Sequence, residues 1–420
     1  MKIVDMAITP IAFKDPPLLN SLGVHEPYAI RSVVEIVTDD GFIGLSETYG
    51  DRPMIGDLHR AAAVIKGFDP FQLHLIEKAL IGTGTGSNKA MGMAPGSVKS
   101  RADSRLFAAI EVACLDIQGR AVGRRVCDLI GGVVREQVPF ASYLFYKYGS
   151  HIDFDEYEPD EFGEVVTAEA MVDLAKHFEK LYGYKSIKLK GGVFEPFVEV
   201  ETILALHDAF PDQPLRIDPN AAWTTTTSLE VARQLTGRLE YLEDPTGGLD
   251  GMATVAKEGG IPLATNMAVT GFEDIPESVR RNSCQIILAD HHYWGGLRRS
   301  MELARVCATF GLGLSMHSNS HLGLSLAAMV HFAAAVPEIV YAYDTHQPWQ
   351  ADEEILVGGK IPIVDGNVSV PTGPGLGVEL DKDALMRLNE RYERCGLTER
   401  DDVSQMRKYD PEWRGSIPRF

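Results

Sequence analysis

Short β-favouring apolar runs recur along the chain, and from Ile187 onward they repeat at roughly 25 residues, about the span of one strand–helix unit. The runs are 138–143, 186–190, 215–218, 241–243, 262–265, 285–288, 312–316 and 340–343. Amphipathic segments such as 168–181, 198–210, 228–235 and 297–310 lie between most of them, with the period of helices packed on a sheet. This rhythm leaves few options. Strands alternating with helices in this number favour a closed parallel barrel over an open sheet, so the expected class is α/β, with the barrel in residues 131–375.

The ends of these runs are polar nearly every time. In order they carry Lys188 and Lys190, Asp218-Pro219-Asn220, Glu243-Asp244-Pro245, Asn266, Asp290, His317-Ser318-Asn319 and Asp344-Thr345-His346. The C-terminal ends of barrel strands are where chemistry concentrates. Singly, each residue has a plainer reading: Asp218 and Asn220 could cap a helix, Glu243-Asp244-Pro245 could start a turn, and His317 could be a satisfied core group. Together at one rim they point to a site. Alternation along a strand puts Lys188 and Lys190 on one face and Ile187 and Leu189 on the other. Two neighbouring ammoniums, once buried, are expected to lower each other's pKa toward that of a base. Asp218, Glu243 and Asn266 offer hard oxygen donors from three successive strands, a set that suits Mg²⁺. His317 could pair with Asp290, which would orient the imidazole and raise its basicity.

The first 130 residues read differently. Runs at 32–38 and 42–47 flank Asp39-Asp40-Gly41, a hairpin signal, and 102–121 reads as a long helix rich in small residues. The loop 18–28 contains His25, and the Gly/Ser/Thr-rich stretch 82–100 is expected to be mobile. A last helix is expected at 382–395, with the chain's end returning to the N-terminal part. The net charge of -19 argues against nucleic acid or an anionic membrane as a main partner. Five cysteines with no CxxC pair read as reduced core residues. No run approaches a membrane span, so a cytoplasmic protein is expected.

The residues resemble the enolase superfamily, specifically its glucarate dehydratase subgroup. The resemblance rests on GVHEPY around His25, YLF from Tyr143, YKSIKLKGG, IDPNAAW, YLEDP, LATNM, LADHHYW, MHSNSH, YDTHQPWQ, PGLGVEL and GLTERDD. It implies a modified (β/α)₇β TIM-like barrel with an α+β capping domain made of residues 1–130 and 376–420. It also implies a Mg²⁺-dependent hydro-lyase that dehydrates D-glucarate to 5-dehydro-4-deoxy-D-glucarate. On that reading Lys190 is one base, the His317–Asp290 dyad the other, and Lys188 holds a substrate carboxylate. Asp218, Glu243 and Asn266 bind the metal; His25, Tyr143, Asn220, Ser318, Asn319, His346 and Arg400 contact substrate. The loop after Glu243, TGGLDGMATV, is shorter than in the subgroup, which leaves either Glu243 or Asp250 to complete the metal site. Two alternatives remain: a dehydratase or epimerase of another acid sugar such as galactarate, and a barrel that binds a sugar acid without turnover. Relatives of this kind suggest a homo-oligomer.

Overall fold

The computed structural model describes residues 1–85, 100–154, 160–338, 341–350 and 352–420. Of the stretch expected to be mobile, residues 86–99 lie outside the described ones. The chain opens with an antiparallel sheet of β1 (Ile3–Lys14), β2 (Tyr28–Thr38) and β3 (Ile43–Tyr49) in that order, the last two joined by the expected hairpin. The helix Ser100–Val122 packs on β3, where Asp116 Oδ2 accepts from Leu45 N at 2.9 Å. Helix 52–65 begins with Asp51 accepting from Met54 N and Pro53 in its first turn, which explains where it starts.

The run 138–143 is not one strand. Gln137–Pro139 (β4) joins a small antiparallel sheet, and Ser142–Phe145 (β5) opens the parallel one. Pro139 has no N–H to extend a ladder, so the chain changes partner there. The remaining parallel strands are β6 (Ile187–Lys190), β7 (Leu215–Asp218), β8 (Tyr241–Glu243), β9 (Leu263–Thr265), β10 (Ile286–Ala289) and β11 (Gly313–Met316). The sheet runs β5 to β11 in sequence order, which makes every pairing one between consecutive strands. Later, β12 (Ile363–Val364) and β13 (Asn367–Ser369) complete the small sheet with β4.

The eighth expected run, 340–343, is reduced to its end, and Val340 itself lies outside the described residues. Tyr343 makes a parallel bridge to Phe140 and Asp344 N donates to Met316 O at 3.0 Å. These bonds tie the last parallel strand to the chain just before the first, so the sheet curls. Helix Gly323–Ala335 has no amphipathic period because it is apolar but for Ser325 and His331 and every residue is buried. The C-terminal part returns as expected: Asn389 Nδ2 donates to Pro10 O at 2.7 Å, and Trp413 Nε1 to Leu22 O at 2.6 Å. All five cysteines are free, four of them buried. Among the described residues no helix is long and apolar enough to cross a membrane.

Candidate active site

Parallel register sets the site. Lys190 lies opposite Asp218, and Glu243 opposite Ala264, so the polar ends of β6, β7 and β8 line up at one rim. Gly191-Gly192 then turns the chain. Gly192 has φ +73°, and a Cβ there would sit 2.3 Å from Pro219 O, so only glycine lets the β6 and β7 loops approach. Lys190 Nζ donates to Asp218 Oδ2 at 2.6 Å. Lys188 Nζ lies 2.6 Å from Asp344, 2.7 Å from Glu243 and 3.6 Å from Asp218. Lys188 also lies 4.7 Å from the centre of the Tyr143 ring, a cation–π distance.

The expected lowering of the lysine pKa does not hold for Lys188. Burial works in that direction, but Asp344 and Glu243 reverse it and hold the ammonium well above its ordinary range. Lys190 and Lys188 likewise overcome burial at Asp218, bringing it to about 2. Glu243 moves the other way, well above its ordinary value, through burial and repulsion by Asp218. The partners pull in opposite directions because Lys188 is shared among several carboxylates, which favours the cation and frustrates one anion. Asp244, buried and repelled by Asp218, is pushed up to about 7. The four carboxylates, Asp218, Glu243, Asp244 and Asp344, thus meet only two ammoniums. Asp344 Oδ1 is buried without a hydrogen bond, and Glu243 Oε2 meets only the shared Lys188 ammonium, at 2.7 Å, without hydrogen-bond geometry. A cluster of oxygens with excess negative charge and unused lone pairs fits a hard divalent cation. Asn266, at the end of β9, joins it through its backbone N–H to Asp244 Oδ2 at 2.8 Å.

Asp244 in this cluster, together with carboxylates raised by burial elsewhere, predicts a pH dependence. Carboxylates with raised pKa bind more protons folded than unfolded, so their stabilising effect is present at low pH and is lost as pH rises through the folded value. Asp244, Glu111, Glu199 and Glu354 all lie near about 7. His151, His321 and His331, lowered to about 4 by burial, act oppositely, but only below their ordinary value of 6.5. We expect the thermal midpoint of chelator-treated protein to fall from pH ~6.5 to ~8. A midpoint that is flat or rises over that range contradicts the raised proton affinity of these carboxylates.

Across the rim, His317 follows β11 and its Nδ1 lies 3.0 Å from Asp290 Oδ2, at the end of β10. Burial alone would raise Asp290, but His292 and His317 more than offset it and hold the carboxylate far below its ordinary value. Tyr293 stacks on the His317 ring at 5.8 Å. Asp290, His291 and His292 bring ligand atoms within 4.8 Å of one another, a spacing a metal could use. Hydrogen bonds account for Asp290 and His292, whose donors and acceptors are committed to each other and to neighbours.

The family model for enolase C-terminal domain-like proteins matches residues 170–384. The chain belongs to the enolase superfamily. It is 44% identical to a probable glucarate dehydratase of Streptomyces coelicolor, over 100% of this chain and 99% of that protein. It is 30% identical to muconate cycloisomerase 1 of Rhodococcus opacus, over 72% of this chain and 77% of that one. Among solved structures, an enolase from Thermobispora bispora complexed with magnesium and formate matches at TM-score 0.97 and 52% identity, with both chains covered at 100%. An enolase from Pseudomonas fluorescens with bound magnesium, potassium and tartrate matches at 0.96 and 51%, covering 100% of this chain and 99% of the other.

The other residues singled out by resemblance to the superfamily are distributed around this rim. Asn220 does not cap the following helix, which is capped by Thr224; its Nδ2 instead donates to Asp218 Oδ1 at 3.1 Å. Ser318 Oγ meets His346 Nδ1 at 2.9 Å, and His346 lies edge-on to Tyr143 at 5.0 Å. His25 pairs with Asp15 at 3.1 Å. Arg400, held by Asp402 at 2.6 Å, lines a cavity with Asp15, Tyr49 and Asn319. Asn319 Nδ2 donates to the Tyr49 and Tyr293 hydroxyls, at 2.9 and 2.6 Å. Asp250 sits away from this cluster, exposed in the first turn of helix 248–258 and ion-paired with Arg281. Sequence reasoning placed Asp344 at a rim but assigned it no role, and it missed Tyr49, Tyr293 and His292. The doubled histidine of His291-His292 was the available signal.

Proposed function

We propose that the chain is an acid-sugar dehydratase of the enolase superfamily, acting on D-glucarate to give 5-dehydro-4-deoxy-D-glucarate. The similarity to a probable glucarate dehydratase along the full length supports the reaction class. The observation that carries the reading is the pair of basic groups on either side of one acidic rim: Lys190 against Asp218, and His317 against Asp290. A module that only bound a sugar acid would have no use for both. Asp218, Glu243 and Asn266 would hold a Mg²⁺ ion, as the magnesium-bound relatives suggest. When bound, that ion supplies positive charge beside the substrate carboxylate.

A proton next to a carboxylate is barely acidic, because its removal creates a dianion. Lys188 is a fixed, permanently charged group at the rim, and its ammonium favours that dianion electrostatically. One base, Lys190 or His317, takes the proton. Protonated His317 then donates to the departing β-hydroxyl, which leaves as water, and the enol tautomerises to the ketone. Asp290 holds Nδ1 of His317 in the donor role and so leaves Nε2 for the substrate. Residues 1–130 with 376–420 we read as a cap over residues 131–375, carrying His25, Tyr49 and Arg400 to the ligand.

Incubation with Mg²⁺ and D-glucarate in D₂O tests this. We expect loss of water, a keto acid product, and one deuterium at the methylene carbon that lost the hydroxyl, delivered from solvent when the enol tautomerises. Deuterium uptake without elimination would mark an epimerase, and turnover of galactarate but not glucarate would move the substrate. Binding with neither exchange nor product would sink the dehydratase reading.

A further inference from the structure

Asp290 serves two imidazoles. Its Oδ2 faces His317 Nδ1 at 3.0 Å, and its Oδ1 faces His292 Nδ1 at 2.8 Å. The far nitrogen of His292, Nε2, lies 3.0 Å from Arg31 Nη2 on β2. A guanidinium has only donors, so Nε2 accepts from Arg31, and the Ser325 hydroxyl, which accepts from the same Nη2, lies 3.1 Å from Nε2 where it can donate as well; His292 then carries its proton on Nδ1 and donates it to Asp290. Arg31 is fixed in turn: its Nε donates to Glu47 Oε1 on β3 at 3.0 Å. Glu47 also accepts from Leu322 N and Ser325 N, at 2.9 and 3.1 Å, at the start of the buried helix after His317. All five side chains of this line are buried. It runs without a gap from the antiparallel sheet, through Glu47, Arg31 and His292, to the carboxylate behind His317.

We propose that His292 is a positioning residue that, anchored by Arg31, withdraws charge from Asp290 and thereby sets the proton affinity of His317. The proposal rests on His317 being a base of the proposed reaction. A carboxylate oxygen that already accepts a hydrogen bond holds less charge for its second partner. Without the His292 donor, Asp290 would bind the Nδ1 proton of His317 more strongly and keep the imidazolium charged to higher pH. Arg31 strengthens the effect by polarising His292 and by forbidding its other tautomer. Other titratable or charged groups face the dyad: His291 on the same turn, Tyr293 on the His317 ring, Tyr49 on β3, and His321 and His346 on nearby loops. None of their side chains hydrogen-bonds the Asp290 carboxylate among the described residues; the backbone N–H of His292 also donates to Oδ1 at 2.9 Å, and any substitution at 292 by a residue other than proline keeps it.

Nitrogen-15 NMR of histidine-labelled protein tests this without relying on turnover. In the unmodified protein His292 is expected as the Nδ1–H tautomer; a proton on Nε2 overturns the proposal. Two variants divide the functions of the ring. His292→Gln places its amide where Nε2 was, keeping the Arg31 contact but losing the donor to Asp290. His292→Asn places an N–H near the position of Nδ1 and keeps that donor. The His317 titration midpoint is expected to rise by about one pH unit in H292Q and to stay near wild type in H292N. In an active enzyme, the acidic limb of kcat/KM should shift with it. An unmoved midpoint in H292Q, or an equal rise in H292N, overturns the assignment. If the midpoints behave as expected while glucarate is not turned over, the fault lies in the proposed substrate and not in the role of His292.

Discussion

Replacing His317 with Asn is expected to lower turnover of D-glucarate by roughly 10²–10⁴-fold, the usual contribution of a positioned acid–base group. An amide side chain neither takes a proton from carbon nor returns one to a leaving hydroxyl. The loss should fall on chemistry alone, for two structural reasons. Asp290 keeps its second partner, His292 at 2.8 Å, so the substitution strands no buried carboxylate. The oxygen donors proposed for Mg²⁺, Asp218, Glu243 and Asn266, lie at the ends of other strands, so Mg²⁺ affinity should change little. Lys190→Met should produce a loss of similar size, with a different pH profile because the surviving base differs. Steady-state kinetics with calorimetric Mg²⁺ titration checks both. Turnover within about tenfold of wild type in either variant would remove that residue from the acid–base role.

Lys188→Met is expected to damage the fold as well as the reaction. Lys188 has no exposed surface, and its ammonium faces Asp344, Glu243 and Asp218 together. Removing one partner from a buried ionic cluster costs roughly 3–5 kcal/mol, because the remaining charges stay buried and uncompensated. Proton uptake by Glu243, already pushed well above its ordinary value, offsets part of this at low pH. The destabilisation should therefore grow as pH rises, and Mg²⁺ should recover some of it. Urea unfolding at two pH values measures the effect. A loss below about 1 kcal/mol, as for an exposed pair, would mean that the cluster is not held by this lysine.

Much of the molecule is legible along the chain because its signals are local. Alternation within Ile187–Lys190 is enough to put both lysines on one face, and the helix 297–310 follows from the spacing of its apolar residues. Polar residues at successive strand ends marked the rim, since parallel register is nearly uniform from β5 to β11. Local signals failed where partners are distant or periodicity is absent. The run 138–143 looks continuous, yet it divides between two sheets at Pro139. Helix 323–335 is buried on all sides and shows no polar face to detect. The pKa of Lys188 was misjudged because sequence shows the neighbouring lysine but not the carboxylates 2.6 to 3.6 Å away.

The sequence by itself determined the parallel strand–helix order, the face on which Lys188 and Lys190 stand, and the acid, amide and imidazole groups at the strand ends. Residue type and strand period are enough for these, because both are properties of a few adjacent positions. Tertiary structure alone decided which charges compensate one another, that Asp250 lies outside the cluster, and that Arg31 and Glu47 on the N-terminal sheet reach the carboxylate behind His317. Burial makes a charge depend on its nearest partners in space, and those partners come from residues as far apart as Arg31 and His292.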